Sequence, residues 1–304
     1  MSTFLTCHRT STLGRILALS VMLASVPVAA QNAPGPIGTP QGPWRTQFYW
    51  VPMNDNGVPR LLYARLCRPV GEAPARVMIF AHGTPADVTA RGRVHSPPCE
   101  NEAFQWFLSR GYAVLASVRR GYGVTGGPYA EDGGPCDHEN FIKPGLESAR
   151  DIAATVDYAA TLPFLRPTGI VVVGLSTGGF ATIAYDSMPH PRVTALINFS
   201  GGRGGHRDSE PNYNCSPEAL RVATARFGAT ASTPMLWIYQ ANDSFFDPEL
   251  AGMMYAAFTK AGGQAEYHAN PAFGPDGHDM LVLYGGSAIW GPQVERYLAT
   301  RPPQ

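Results

Sequence analysis

The chain has 304 residues, 44% of them hydrophobic and 15% charged, with 23 Lys+Arg balanced by 23 Asp+Glu. That is a globular composition with enough length for one sizeable core, and the lack of a basic excess argues against a nucleic-acid partner. The 33 glycines and 28 prolines point to many structured loops on a compact scaffold.

In chain order, Arg9 and Arg15 precede a mostly apolar, uncharged run from Ile16 to Val28, and Val28-Ala29-Ala30 supplies the small residues of a cleavage site before Gln31. This is the pattern of a signal peptide over 1–30. The run is shorter than the roughly 20 residues of a membrane span, so a periplasmic or secreted protein is expected, with no stable membrane insertion after cleavage. Residues 31–43 hold Pro34, Gly35, Pro36, Gly38 and Pro40 and read as a flexible lead-in to a single domain over 44–304. Export also changes how the cysteines read. Cys7 leaves with the signal peptide, and Cys67, Cys99, Cys136 and Cys215 suggest two disulfides, with three pairings open. A zinc site is the rival use of four cysteines, but no C-x-x-C pair is present.

Beyond the lead-in, strands and helices alternate. Gln47–Met53 and Arg60–Arg68 flank Asn54-Asp55-Asn56-Gly57 as a hairpin. The apolar run Val77–Ala81 reads as a strand covered on both faces. Then come a helix at Asn101–Arg110, a strand at Ala113–Val118, a Gly-rich loop from Arg119 to Pro144 and a helix at Leu146–Leu162. A strand at Ile170–Val173 leads into a helix at Thr177–Met188, followed by a strand at Val193–Phe199 and a helix at Pro217–Arg226. Pro234–Tyr239 is a strand, Pro248–Ala261 a helix, Ala265–Ala269 a strand and Ile289–Ala299 a closing helix. This alternation implies an α/β domain with a central, mostly parallel sheet flanked by helices, whose ligands bind at the carboxyl ends of the strands. Ser200 to Pro234 leaves room for one helix and a loop, hence a small lid or none.

The strongest chemical signal is Gly174-Leu175-Ser176-Thr177-Gly178. A G-x-S-x-G between a buried strand and a helix is a sharp turn that lifts a serine hydroxyl clear of the sheet, above the free N–H groups of a helix start. Ser176 is therefore the candidate nucleophile, and a serine needs a general base. His278, in Gly274-Pro275-Asp276-Gly277-His278-Asp279, lies in a flexible loop between the last strand and the last helix and is the best placed histidine. His268 reads as a half-buried strand residue, while His95, His138, His190 and His206 read as solvated loop residues. The base needs an orienting carboxylate. Asp243 directly follows the strand ending at Tyr239, whereas Asp247 precedes Pro248 and reads as a helix N-cap. Near the end of the first buried parallel strand, Ala81-His82-Gly83-Thr84-Pro85 offers the backbone N–H of Thr84, which with that of Thr177 forms an expected oxyanion hole. His82 ties that loop by hydrogen bonds. In Arg119-Arg120-Gly121-Tyr122-Gly123 the arginines read as loop braces, and Arg203 as a solvated loop arginine rather than a partner for an acidic substrate.

Taken with Thr125-Gly126-Gly127 and Gly277-His278, these motifs make the chain resemble the α/β hydrolases, and among them the dienelactone-hydrolase-like and prolyl-oligopeptidase-like enzymes. Dienelactone hydrolases proper use a cysteine nucleophile, so Ser176 favours ordinary ester cleavage. The resemblance implies a serine esterase acting on a small-molecule ester through a Ser176–His278–Asp243 triad, without metal or organic cofactor. Two rivals stay open: a peptidase acting on short peptides, and an inactive binding protein on a hydrolase scaffold.

Overall fold

A computed structural model of the chain describes residues 1, 3 and 32–301. Apart from Met1 and Thr3, the expected signal peptide lies outside the described residues. The chain divides into two units, Met1–Asn32 and Ala33–Gln304, and the second is described here. Its elements are β1 (Gly35–Gln41), β2 (Thr46–Asp55), β3 (Val58–Cys67), β4 (Arg76–Ala81), α1 (Glu102–Leu108), β5 (Tyr112–Ser117), α2 (Ile142–Ala159), β6 (Ile170–Leu175), α3 (Thr177–Asp186), β7 (Val193–Phe199), α4 (Pro217–Gly228), β8 (Met235–Gln240), α5 (Pro248–Lys260), β9 (Ala265–Asn270) and α6 (Ser287–Ala299).

Among the described residues, nine strands form one sheet in the order β1-β2-β3-β5-β4-β6-β7-β8-β9. From β5 to β9 every pairing is parallel, and β1, β2 and β3 add an antiparallel edge. This is the α/β-hydrolase fold. Burial on both faces explains the continuous apolar runs of the central strands. On β4, Val77 and Ile79 point to one core and Met78 and Phe80 to the other; on β6, Ile170 and Val172 oppose Val171 and Val173. One core packs beneath α2, α3, α4 and α5, with Phe180, Phe227, Trp237 and Phe258. The other packs beneath α1 and α6, with Phe104, Trp106, Phe107 and Trp290.

One expectation fails at the start of the domain. Residues 31–43 are not a flexible lead-in throughout, because Gly35–Gln41 pairs antiparallel with β2. Its side chains are almost all exposed, so the strand is made by backbone pairing rather than by an apolar pattern. The hairpin turns as expected, with Asn56 and Gly57 at φ 52° and 90°, the positive values that two-residue turns require. The cysteines pair as Cys67–Cys99 and Cys136–Cys215, with Cα–Cα distances of 5.7 and 5.0 Å. The first joins the end of β3 to the segment before α1. The second joins the loop after β5 to the loop after β7.

Candidate active site

Ser176 sits between β6 and α3 at φ 58°, ψ −124°, a left-handed conformation that costs a non-glycine residue on the order of 1–3 kcal/mol. Its neighbours hold it there. Ser176 N–H donates to Phe199 O at 3.0 Å, and Ser176 O accepts from Gly202 N–H at 3.2 Å and Phe180 N–H at 3.0 Å. A Cβ on Gly174 would stand 2.1 Å from Gly178 O, and one on Gly178 2.1 Å from Ala81 O. Both glycines are therefore needed for the helix to start this close to β4 and β6.

After β8, Asp243 is 1% exposed. Its Oδ1 accepts from Phe245 and Phe246 N–H at 2.9 and 3.0 Å and lies 2.9 Å from His278 Nδ1. That contact fixes the tautomer, with the proton on Nδ1 and the lone pair on Nε2. Asp247 caps α5 instead, accepting from Leu250 N–H at 2.8 Å. His278 is 5% exposed and does not lie in a free loop. It occupies a 3-10 turn, Gly277–Asp279, capped by Asp276, whose Oδ1 accepts from His278 N–H at 2.9 Å. The Asp276 carboxylate also takes Ser244 N–H and Ser244 Oγ–H, at 3.1 and 2.5 Å. It thereby clamps the segment bearing Asp243 to the turn bearing His278, and burial, which pushes its pKa up, is outweighed by these bonds, which bring it below the usual range. The His278 and Phe245 ring centroids lie 4.2 Å apart, and the Phe245 ring also stacks on His206, with centroids 3.6 Å apart.

Ser176 and Phe245 line one cavity of about 250 Å³, with Thr84, Thr177, Glu131 and Arg203 among its walls. Among the described residues Ser176 Oγ makes no hydrogen bond. Contacts of this kind are commonly loose before substrate binds and tighten with it. Thr84 and Thr177 come together, with their Oγ1 atoms 2.7 Å apart, and neither backbone N–H is taken by a described residue. His82 ties its loop: Nδ1 donates to Gly83 O at 2.7 Å, and Nε2 accepts from Arg119 N–H at 3.0 Å. Burial, reinforced by the Arg119 charge, pushes its pKa down to about 3, so it stays neutral.

The two loop arginines are braces that point in different directions. Arg120 pairs with Asp151, Asp55 and Glu147 at 2.7, 2.7 and 2.8 Å, away from the cavity. Arg119 turns toward it, pairing with Glu131 at 2.5 Å and donating to His82 O and, at 3.0 Å, to Thr177 Oγ1. Two expected surface residues are buried. Arg203 is 6% exposed in the cavity wall and pairs with Glu131. His190, far from the cavity, packs against Asp186 at 3.0 Å. Sequence reasoning missed Glu131, Asp276, Phe245 and Phe246. Phe245 and Phe246 carried a signal in standing two and three residues after Asp243, and Asp276 in standing two residues before His278. Among the described residues no three His, Cys, Asp or Glu side chains are grouped to hold a metal ion.

Residues 78–303 match the model of the alpha/beta hydrolase family. The sequence matches no curated protein. Similar solved structures include a candidate dienelactone hydrolase from Klebsiella pneumoniae, with TM-score 0.55 and 15% identity over 84% of this chain and 98% of that one. An esterase of Pyrococcus furiosus has TM-score 0.56 and 16% identity, over 84% and 92%. Dipeptidyl peptidase 4 of Porphyromonas gingivalis has TM-score 0.58 and 15% identity over 85% of this chain, but this match spans only 36% of the peptidase. At these identities the likeness concerns the fold.

Proposed function

The chain belongs to the alpha/beta hydrolase family, and from that premise we propose that it is an exported serine hydrolase cleaving carboxylic esters. Ser176 Oγ attacks the ester carbonyl carbon while His278 Nε2 takes its proton. Asp243 holds the imidazole and stabilises its positive charge. The carbonyl oxygen, now an oxyanion, accepts from the backbone N–H groups of Thr84 and Thr177. Collapse expels the alcohol, which receives the proton from Nε2. Water, deprotonated by Nε2, then cleaves the acyl-enzyme, releasing the acid and restoring Ser176. The first step requires Ser176 Oγ to come within hydrogen-bonding distance of His278 Nε2.

The observation that carries this reading is the His278–Asp243 pair at 2.9 Å, whose ring packs on Phe245 in the wall of the cavity that Ser176 lines. A cavity of about 250 Å³ suits a short acyl group. The two disulfides fit an oxidising compartment, and among the described residues no helix is long and apolar enough to cross a membrane. The test is hydrolysis of p-nitrophenyl acetate and butyrate beside peptide p-nitroanilides. Ester turnover is expected to fall by about 10⁴-fold or more in Ser176→Ala and about 10⁴-fold in Asp243→Asn. Turnover of anilides alone would favour a peptidase, and unchanged turnover in Ser176→Ala would refute the proposal.

A further inference from the structure

Five side chains around the cavity form a closed ring that the reaction above does not use. Arg119 Nη2 lies 3.0 Å from Thr177 Oγ1, and Thr177 Oγ1 lies 2.7 Å from Thr84 Oγ1. Thr84 Oγ1 lies 2.6 Å from Tyr122 OH, and Tyr122 OH lies 3.1 Å from Glu131 Oε2. Glu131 Oε1 returns to Arg119 Nε at 2.5 Å. The two threonines are the residues whose backbone N–H groups receive the oxyanion in the proposed reaction.

The direction of every bond follows from the two ends. A guanidinium only donates and a carboxylate only accepts. Burial pushes Glu131 up, but Arg119 and Arg203 more than offset this and bring it down to about 2, so it is ionised. Arg119 therefore donates to Thr177, which leaves the Thr177 proton for Thr84, the Thr84 proton for Tyr122 and the Tyr122 proton for Glu131. The reverse direction would set the Tyr122 oxygen lone pairs against a carboxylate. A one-directional chain polarises each hydroxyl in turn. It also commits both threonine hydroxyl protons within the ring, leaving the main chain as the only donor at those two residues.

We propose that Tyr122 and Glu131 are positioning residues for the oxyanion hole, holding Thr84 and Thr177 together so that both backbone N–H groups face one carbonyl oxygen. The ring spans two independently placed pieces of backbone. Thr84 follows β4, Thr177 opens α3, and Arg119 clamps both by also donating to His82 O. Without the ring, nothing links the two hydroxyls to a fixed charge. Because these donors act only on the oxyanion, a displaced pair lowers kcat with little change in KM.

This inference rests on the reading of Ser176 as nucleophile, and the test separates the two. Tyr122→Phe, Thr84→Val and Thr84→Ser are compared with wild type for p-nitrophenyl acetate turnover, inhibition by phenylboronic acid, fluorophosphonate labelling and thermal midpoint. Removing one oxyanion donor costs about 10²–10³-fold and an ångström of misplacement about 10²-fold. Tyr122→Phe is accordingly expected to lower kcat about 10-fold and Thr84→Val about 10–100-fold, with KM within about twofold. Boronate affinity should fall in parallel with kcat/KM, and Thr84→Ser, which keeps the hydroxyl, should return activity to near wild type. Wild-type kcat in either Tyr122→Phe or Thr84→Val, or a loss in Thr84→Val that Thr84→Ser shares, would overturn the positioning role while leaving Ser176 in place. Labelling that persists in Ser176→Ala would overturn the nucleophile reading itself.

Discussion

The turn at Ser176 and the cavity wall opposite it are built by different physics. The turn is steric and mostly local: β6 delivers the chain, Gly174 and Gly178 admit the close approach of α3, and backbone bonds to Phe199 and Gly202 hold the φ of 58°. The wall is polar and long-range. It comes from the segments after β5 and after β7, joined by Cys136–Cys215, by Glu131 between Arg119 and Arg203, and by Ser216 Oγ–H donating to Cys136 O at 2.5 Å. Ser176 is thus carried by the core, while the shape around it depends on pairings between distant parts of the chain. Losing a wall contact should change stability and substrate handling without disturbing the turn.

The largest break in that contrast is removal of the wall disulfide. Cys136 and Cys215 are 79 residues apart, and closing a loop of that length stabilises by up to about 4.5 kcal/mol in the chain-entropy view. Cys136→Ser with Cys215→Ser is expected to lose stability on that scale in chemical denaturation and to raise KM, while Ser176 still labels with a fluorophosphonate. Loss of labelling in the folded double variant would show that the wall also sets the turn.

A smaller effect sharpens the contrast through pH. The Glu131 carboxyl is depressed from 4.5 to about 2 in the folded chain, which corresponds to on the order of 3 kcal/mol. A depressed acid stabilises above its unfolded pKa and loses that contribution as pH falls toward its folded one. The stability gap between wild type and Glu131→Gln is therefore expected to be widest above about pH 4.5 and to shrink as pH falls toward 2, because protonated Glu131 resembles glutamine. A gap independent of pH in urea titrations at pH 6 and pH 3 would mean that the carboxylate charge does not hold the wall.

The same division explains what could be read from the amino-acid sequence. The turn around Ser176 was legible because its cause lies within one short stretch: an apolar strand, two glycines at fixed spacing and a helix. Asp243, Asp247 and His278 were assigned from their places after strands and before helices. The wall was not legible. Burial of Arg203 depends on Glu131, and the Cys136–Cys215 pairing was one of three possibilities. The edge strand Gly35–Gln41 was hidden because exposed side chains carry no apolar alternation, and its prolines and glycines read as turns. His190 did leave a trace, since it lies one helical turn beyond Asp186, the pairing distance of an i,i+4 contact.

The most direct test of the nucleophile is the mass of the intact protein after exposure to a fluorophosphonate, followed by peptide mapping. A single adduct on Ser176 is expected, formed far more slowly in His278→Ala because the base that activates the hydroxyl is gone. No adduct, or an adduct on another residue with Ser176 unmodified, would contradict the reading.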